Sequence, residues 1–180
     1  MIPSELSRPD PEDSVTHLVA DWARERPDFD PLPIGVFARI HRLSSHLSNR
    51  TKGWLEAEGL TWEAFSLIAT LRRQGPPYEM RPTDILRESL LTSGAVTNRI
   101  DRVEQMGLVE RRADLEDGRA SLVRLTKKGL DAANAAIEVH QAHLWEVFGV
   151  LGGDELRALD AMLARTLALM EASGGGRDDA

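Results

Sequence analysis

The sequence predicts a mainly α-helical fold with a small β-hairpin, a winged helix-turn-helix with a helical dimerisation domain. Three observations carry this. Apolar residues recur at helical spacing along most of the chain. Two short polar helices, roughly 82–90 and 93–106, follow each other closely. Directly after them, Leu108–Arg112 and Ser121–Leu125 read as short strands around the turn ADLEDGRA.

The elements follow in order. Residues 1–12 are Pro- and acid-rich and are expected to be disordered. A short helix over 13–25 places Val15, Leu18, Val19 and Trp22 on one face, with Ser14 as its cap. RPDFDPLP is a connector. A long helix over 34–57 carries Ile34, Phe37, Ile40, Leu43, Leu47 and Leu55, and Gly59 ends it. Thr61 caps a helix over 62–73, with Phe65, Leu67, Ile68 and Leu71 inward. Pro82-Thr83 opens the next helix, and Thr92 caps the one after it, which ends at Gly107. Thr126 caps a helix over 127–148, which the Gly152-Gly153 pair breaks, and a last helix covers 154–171. The tail GGGRDDA is again expected to be disordered. The expected organisation is 13–60 for N-terminal and dimerisation helices, 61–126 for the winged helix-turn-helix, and 127–172 for C-terminal dimerisation helices.

Charge is unevenly spread. The 180 residues carry a net charge of −7. Residues 71–128 hold twelve Lys/Arg against nine Asp/Glu, whereas the segments on either side are net acidic. A locally basic segment attracts phosphate, because more distant acid is screened beyond about 8 Å at physiological salt. The chain has no cysteine, which excludes disulfides, thiolate nucleophiles and zinc–thiolate clusters and fits a cytoplasmic protein. No apolar run approaches the length of a membrane span, and the acidic N-terminus does not resemble a signal peptide.

The second short helix is the candidate reading head. At about 100° per residue, Val96, Ile100 and Val103 fall on one side and are expected to be buried. Thr97, Asn98, Asp101 and Arg102 fall mainly on the opposite half. Ser93 and Gly94 at its start are small enough for close approach to a major groove, where hydrogen-bonding side chains reach base edges. The hairpin tip, Asp117-Gly118-Arg119, would project an arginine suited to a narrow minor groove, with Asp117 orienting it. The candidate DNA-binding residues are therefore Thr83, Thr92, Ser93, Thr97, Asn98, Arg102, Arg112, Asp117 and Arg119. Arg99 borders the buried stripe and faces the seam of the DNA-binding part more than a groove.

Other chemistry is thin. His41 and His46 are five apart and His140 and His143 three apart, but no cysteine or clear carboxylate completes a metal set. These histidines, with His17, read as surface or dimer-interface residues; one at a dimer seam would loosen it on protonation near about pH 6. No G-x-S-x-G, H-E-x-x-H or phosphate-binding loop is present, and no catalytic residue or cofactor is expected. Two other readings stand beside the DNA-binding one: a helical interaction or architectural protein without ligand control, and an enzyme of unknown type.

LIATLRR, PTDILRESLLTSGAVTNRIDRVEQMGLVERR and DLEDGRASLVRLTKKG together resemble the MarR family of bacterial regulators, above all in the D-x-R wing followed by LT-x-x-G. The resemblance implies a homodimer on a pseudopalindromic DNA operator, with one recognition helix per major groove. Many such proteins repress, and release DNA when a small molecule binds. A narrower resemblance, to the PecS or urate-responsive subgroup, rests on WARERPDFDP, LRRQGPPY and TSGAVTNRIDR. It implies ligand-binding roles for Trp22, Arg73 and Arg99. Ser66 stands where that subgroup has an aspartate, seven residues before Arg73. Without that carboxylate, a small anionic ligand such as a polycarboxylate suits two unpaired arginines better than urate does.

Overall fold

The computed structural model describes residues 12–89, 93–114 and 121–174. Seven helices and three strands occur among them: α1 (Thr16–Glu25), α2 (Leu32–Ala57), α3 (Trp62–Arg73), β1 (Glu79–Met80), α4 (Pro82–Ser89), α5 (Ser93–Gln105), β2 (Val109–Ala113), β3 (Ser121–Leu125), α6 (Lys127–Phe148) and α7 (Gly153–Gly174). The chain divides into two compact units, one up to Gly53 and one from Trp54 onward. No helix among the described residues is long and apolar enough to cross a membrane.

In the first unit, Asp13 rather than Ser14 starts α1. Its Oδ1 accepts the amides of Val15 and Thr16 at 2.7 and 3.0 Å. Arg39 of α2 donates to the same carboxylate at 2.7 Å, and this pair first, then the Val15 amide, draws the Asp13 pKa down to about 2. A carboxylate reaches both amides and an arginine, which a serine hydroxyl cannot do. The helices meet at Gly35, where a Cβ would lie 2.8 Å from Val19 Cγ2. The apolar periodicity of α2 makes a helix, but Val36, Phe37, Ile40 and Leu43 stay exposed.

In the second unit, Leu55, Phe65, Leu67, Ile68 and Leu71 join Ile85 of α4 and Val96, Ile100 and Val103 of α5 in one core. Thr61 caps α3 by accepting the Ala64 amide at 3.2 Å. Gly59 and Gly107 end their helices in the left-handed conformation expected of them, at φ 69° and 71°. The sheet has three strands in the order β1-β3-β2, all antiparallel, with Val109 opposite Leu125 and Met80 opposite Val123. α6 ends at Phe148, earlier than the glycine pair, with Gly149 as cap; its amide donates to the Trp145 carbonyl at 2.7 Å. α7 leaves Met162, Leu163, Leu167, Leu169 and Met170 exposed.

The LT-x-x-G sequence makes the joint between hairpin and α6. Thr126 caps α6, accepting the Gly129 amide at 3.0 Å, while its hydroxyl donates to the Gly107 carbonyl at 2.7 Å. Its own amide donates to the Leu108 carbonyl at 3.1 Å. Gly129 then packs onto that same carbonyl. A Cβ at Gly129 would clash with the Leu108 oxygen and sit 2.7 Å from its carbon. Backbone cannot retreat from such an overlap without moving β2.

His140 of α6 lies half-buried among rings. Phe65 is 5.0 Å away edge-on, Trp54 6.2 Å and Trp62 6.4 Å. Its Nδ1 has no hydrogen-bond partner among the described residues. Burial first, and then the neighbouring His143, lower its pKa below the ordinary 6.5. His143 itself stacks on Trp54 at 4.4 Å and meets Glu146 at 3.0 Å. His41 and His46 are both exposed, and the His41 ring stacks beside Phe37.

Three outcomes follow from these packings. Gly129→Ala should destabilise the protein by about 1–3 kcal/mol, although alanine is the better helix former. Gly53→Ala, in α2 with nothing within 4 Å of the added Cβ, should stabilise by about 0.5–1 kcal/mol, as urea unfolding of both variants will show. A histidine whose folded pKa is depressed is protonated first in the unfolded chain, so its stability contribution is full above the unfolded value near 6.5 and lost as pH falls below it. The stability lost between about pH 7.5 and about pH 5.5 should therefore shrink in His140→Phe.

Candidate nucleic-acid interface

α5 presents two faces because its apolar residues keep a 3.6-residue period. Val96, Ile100 and Val103 are 2%, 1% and 2% exposed and pack in the core. Gly94, Ala95, Thr97, Asn98 and Arg102 are exposed. Arg99 is half-buried at the border, as its angular position predicts. Thr83 is exposed in the first turn of α4. Thr92, Asp117 and Arg119 lie outside the described residues, as does the side chain of Ser93. The structure thus brings Thr97, Asn98 and Arg102 onto one outer face.

The wing is braced on this helix. Arg111 of β2 donates to Asp101 Oδ1 at 2.6 Å and also to Glu104 Oε2, while its amide donates to Glu104 Oε1 at 3.0 Å. Asp101 and then Glu104 favour the charged guanidinium and raise its pKa above the usual arginine range. Asp101 is therefore occupied as a brace for the wing. Arg112, the next residue, faces outward and pairs loosely with Glu110 at 3.3 Å. Its side chain is 54% exposed, so phosphate can displace that pairing at little cost.

The four ligand candidates divide differently. Trp22 belongs to the first unit, where its ring lies 6.0 Å from Phe29. Ser66 is half-buried on α3. Arg73 corrects the expectation of two unpaired arginines: its guanidinium bonds Glu88 of α4. Glu88 becomes its partner through the packing of α3 on α4, which no local spacing announces. Arg99 has no ion pair among the described residues, but its field and that of Arg102 reach Glu63. The Glu63 carboxyl is held below its ordinary value by its own amide first, then by the Thr61 hydroxyl, with the two arginines adding smaller contributions.

Sequence reasoning passed over Asp101 and Glu104 as braces, Gly129 as a contact, and the pair Arg81 and Asp114. Arg81 Nη2 and Asp114 Oδ2 are 2.6 Å apart, although 33 residues separate them in the chain. The charge-rich run around 110–114 hinted at Asp114.

A helix-turn-helix with an outward polar second helix, followed at once by a braced hairpin, defines a winged-helix DNA-binding transcription regulator. The MarR family pattern matches residues 60–121. The HTH-type transcriptional regulator PecS of Dickeya dadantii is 30% identical over 151 residues, covering 84% of this chain and 91% of that one. The chain belongs to the MarR family of transcriptional regulators. Among solved structures, a cysteine-to-serine variant of Escherichia coli MarR complexed with operator DNA is similar at TM-score 0.67 and 23% identity, covering 76% of this chain and 96% of that one. The organohalide-sensing regulator RdhR in its 2,4-dichlorophenol-bound form is similar at TM-score 0.66 and 18% identity, covering 83% of this chain and 85% of that one. At these identities the two structures speak for the fold.

Proposed function

We propose that this regulator is a repressor that binds a pseudopalindromic operator as a homodimer and leaves it when a small anionic ligand binds. The sidedness of α5 carries the reading. With Val96, Ile100 and Val103 buried, the outer face offers Asn98, whose amide can pair with an adenine edge, and Thr97 and Arg102 beside it. Gly94 at the helix start permits close approach to the duplex. Thr83, Thr92 and Ser93 are assigned to backbone phosphates near helix starts, and Arg112, Asp117 and Arg119 to the wing. The basic balance of residues 71–128 supports that assignment despite the acidic chain.

A second copy of the chain is the assigned cover for the apolar residues left exposed on α2 and α7, Phe37, Ile40 and Leu43 on the first and Leu163, Leu167 and Met170 on the second. Such rows are rare on a protein that works alone. Two-fold symmetry of the protein then requires two half-sites in the DNA. Work on DNA places this regulator in the cytoplasm.

The ligand reading rests on Arg99, which lies at the border between the core and the outer face of α5. An anion drawn to it would act on the helix that reads DNA. Ser66 supplies a hydroxyl in place of a carboxylate, which favours a carboxylate ligand over urate. An anion at Arg73 competes with Glu88. The role of Trp22 rests on resemblance alone.

A duplex selected by the protein from a random pool should bind with affinity falling steeply as salt rises. Asn98→Ala should weaken that binding by about 1–3 kcal/mol and relax sequence choice, while Arg112→Ala should weaken all sequences alike. A salt titration that leaves both variants level with wild type refutes the assignment. Calorimetric titration should show small polycarboxylates binding more tightly than urate, and Arg99→Met should abolish that binding; tight urate binding untouched by Arg99→Met contradicts the ligand reading.

A further inference from the structure

Asp114 follows directly on β2, and its side chain is only 8% exposed. Its Oδ2 accepts two bonds from Arg81, from Nε at 3.0 Å and from Nη2 at 2.6 Å. Arg81 stands between β1 and α4. Its carbonyl accepts the amides of Asp84 and Ile85 at 2.9 and 3.1 Å, so it also closes the first turn of α4. Because the strand order is β1-β3-β2, the pair spans the central strand and joins the two edges of the sheet.

Its place in the ladder gives it a task. The last rung between β2 and β3 is Ala113 opposite Ser121. Asp114 is one residue further on, where the chain leaves the ladder for the hairpin tip. Arg111 braces the middle of β2 on α5, and Arg81 fixes its outer end to the start of α4. The strand is thus tied to α5 at its centre and to α4 at its outer end, one tie for each helix of the helix-turn-helix. A carboxylate at this depth needs a charged partner, and the arginine fork supplies direction as well as charge. The guanidinium side chain stays 44% exposed, so it remains in contact with water. Arg112, the wing residue assigned to phosphate, lines the same surface groove as Arg81 and Asp114.

We propose that Arg81 and Asp114 are a positioning pair for DNA binding: they hold the root of the wing against the start of α4, so that wing and recognition helix reach one duplex together. This rests on the DNA-binding reading above. Neither residue has to touch DNA. Their effect is read in how many phosphate contacts the wing makes at once with α5.

Asp114→Asn keeps the shape and removes the charge, and Arg81→Lys keeps the charge and removes the fork. Each is to be measured for binding to the duplex selected by the wild-type protein, across a salt series, beside thermal unfolding and amide exchange at the Ala113–Ser121 rung. Asp114→Asn should weaken binding about tenfold near physiological salt and make the plot of log affinity against log salt shallower by about one. Exchange at that rung should quicken, and Arg81→Lys should show the same changes in smaller measure. A wild-type salt slope together with faster exchange overturns the proposal, because the pair then holds the sheet without positioning the wing. If Asp114→Asn loses its cooperative unfolding, Arg81→Lys decides by the same two readouts. A wild-type protein that selects no duplex sinks the DNA-binding reading, and this proposal with it. A wild type with a steep slope that both variants share sinks this proposal alone.

Discussion

Burial of Val96, Ile100 and Val103 is the constraint on which the rest depends. Each of these side chains gains about 1.5–3 kcal/mol on leaving water, so the stripe fixes the rotation of α5 about its own axis. Once that rotation is fixed, the identity of the outer face follows from sequence spacing alone. Asn98 must face away from the core, and Arg99 must sit at its margin. A rotation of one residue would place polar groups inside without partners, which the core cannot accept.

The wing inherits its position from that helix. Gly129 lets α6 touch the Leu108 carbonyl, and Thr126 ties the same turn through Gly107 and Leu108. Arg111 then pins β2 to Asp101 and Glu104 of α5. The acidic residues of the reading head are thereby used up inside the protein. That helps a chain of net charge −7 belong to a DNA-binding family: Asp101 and Glu104 face Arg111 of the sheet, and most of the remaining acid lies in the flanking segments.

Much of this was legible in the sequence because it is local. Threonine caps at Thr61 and Thr126, glycine ends at Gly59 and Gly107, and the apolar period of α3, α5 and α6 all act within a few residues. What was missed is non-local or small. β1 is two residues long and exists only because β3 offers it an edge. Asp13 outcompetes Ser14 because Arg39, 26 residues away, completes its contacts. Arg73 looked unpaired because Glu88 lies on another helix, and Arg81 finds Asp114 only when the sheet is assembled. The outer face of α5 could be read from its period, whereas partners of charged groups could not.

The absence of cysteine makes a direct test of that outer face simple, since one introduced thiol is the only one present. Ala95→Cys places it on the exposed side of α5, and Ala135→Cys on the exposed side of α6. Alkylation rates are to be compared with and without a saturating concentration of the selected duplex. DNA should strongly slow alkylation at position 95 and leave position 135 unchanged. Equal rates at position 95 with and without bound DNA would contradict the assignment of α5 as the helix that reads the operator.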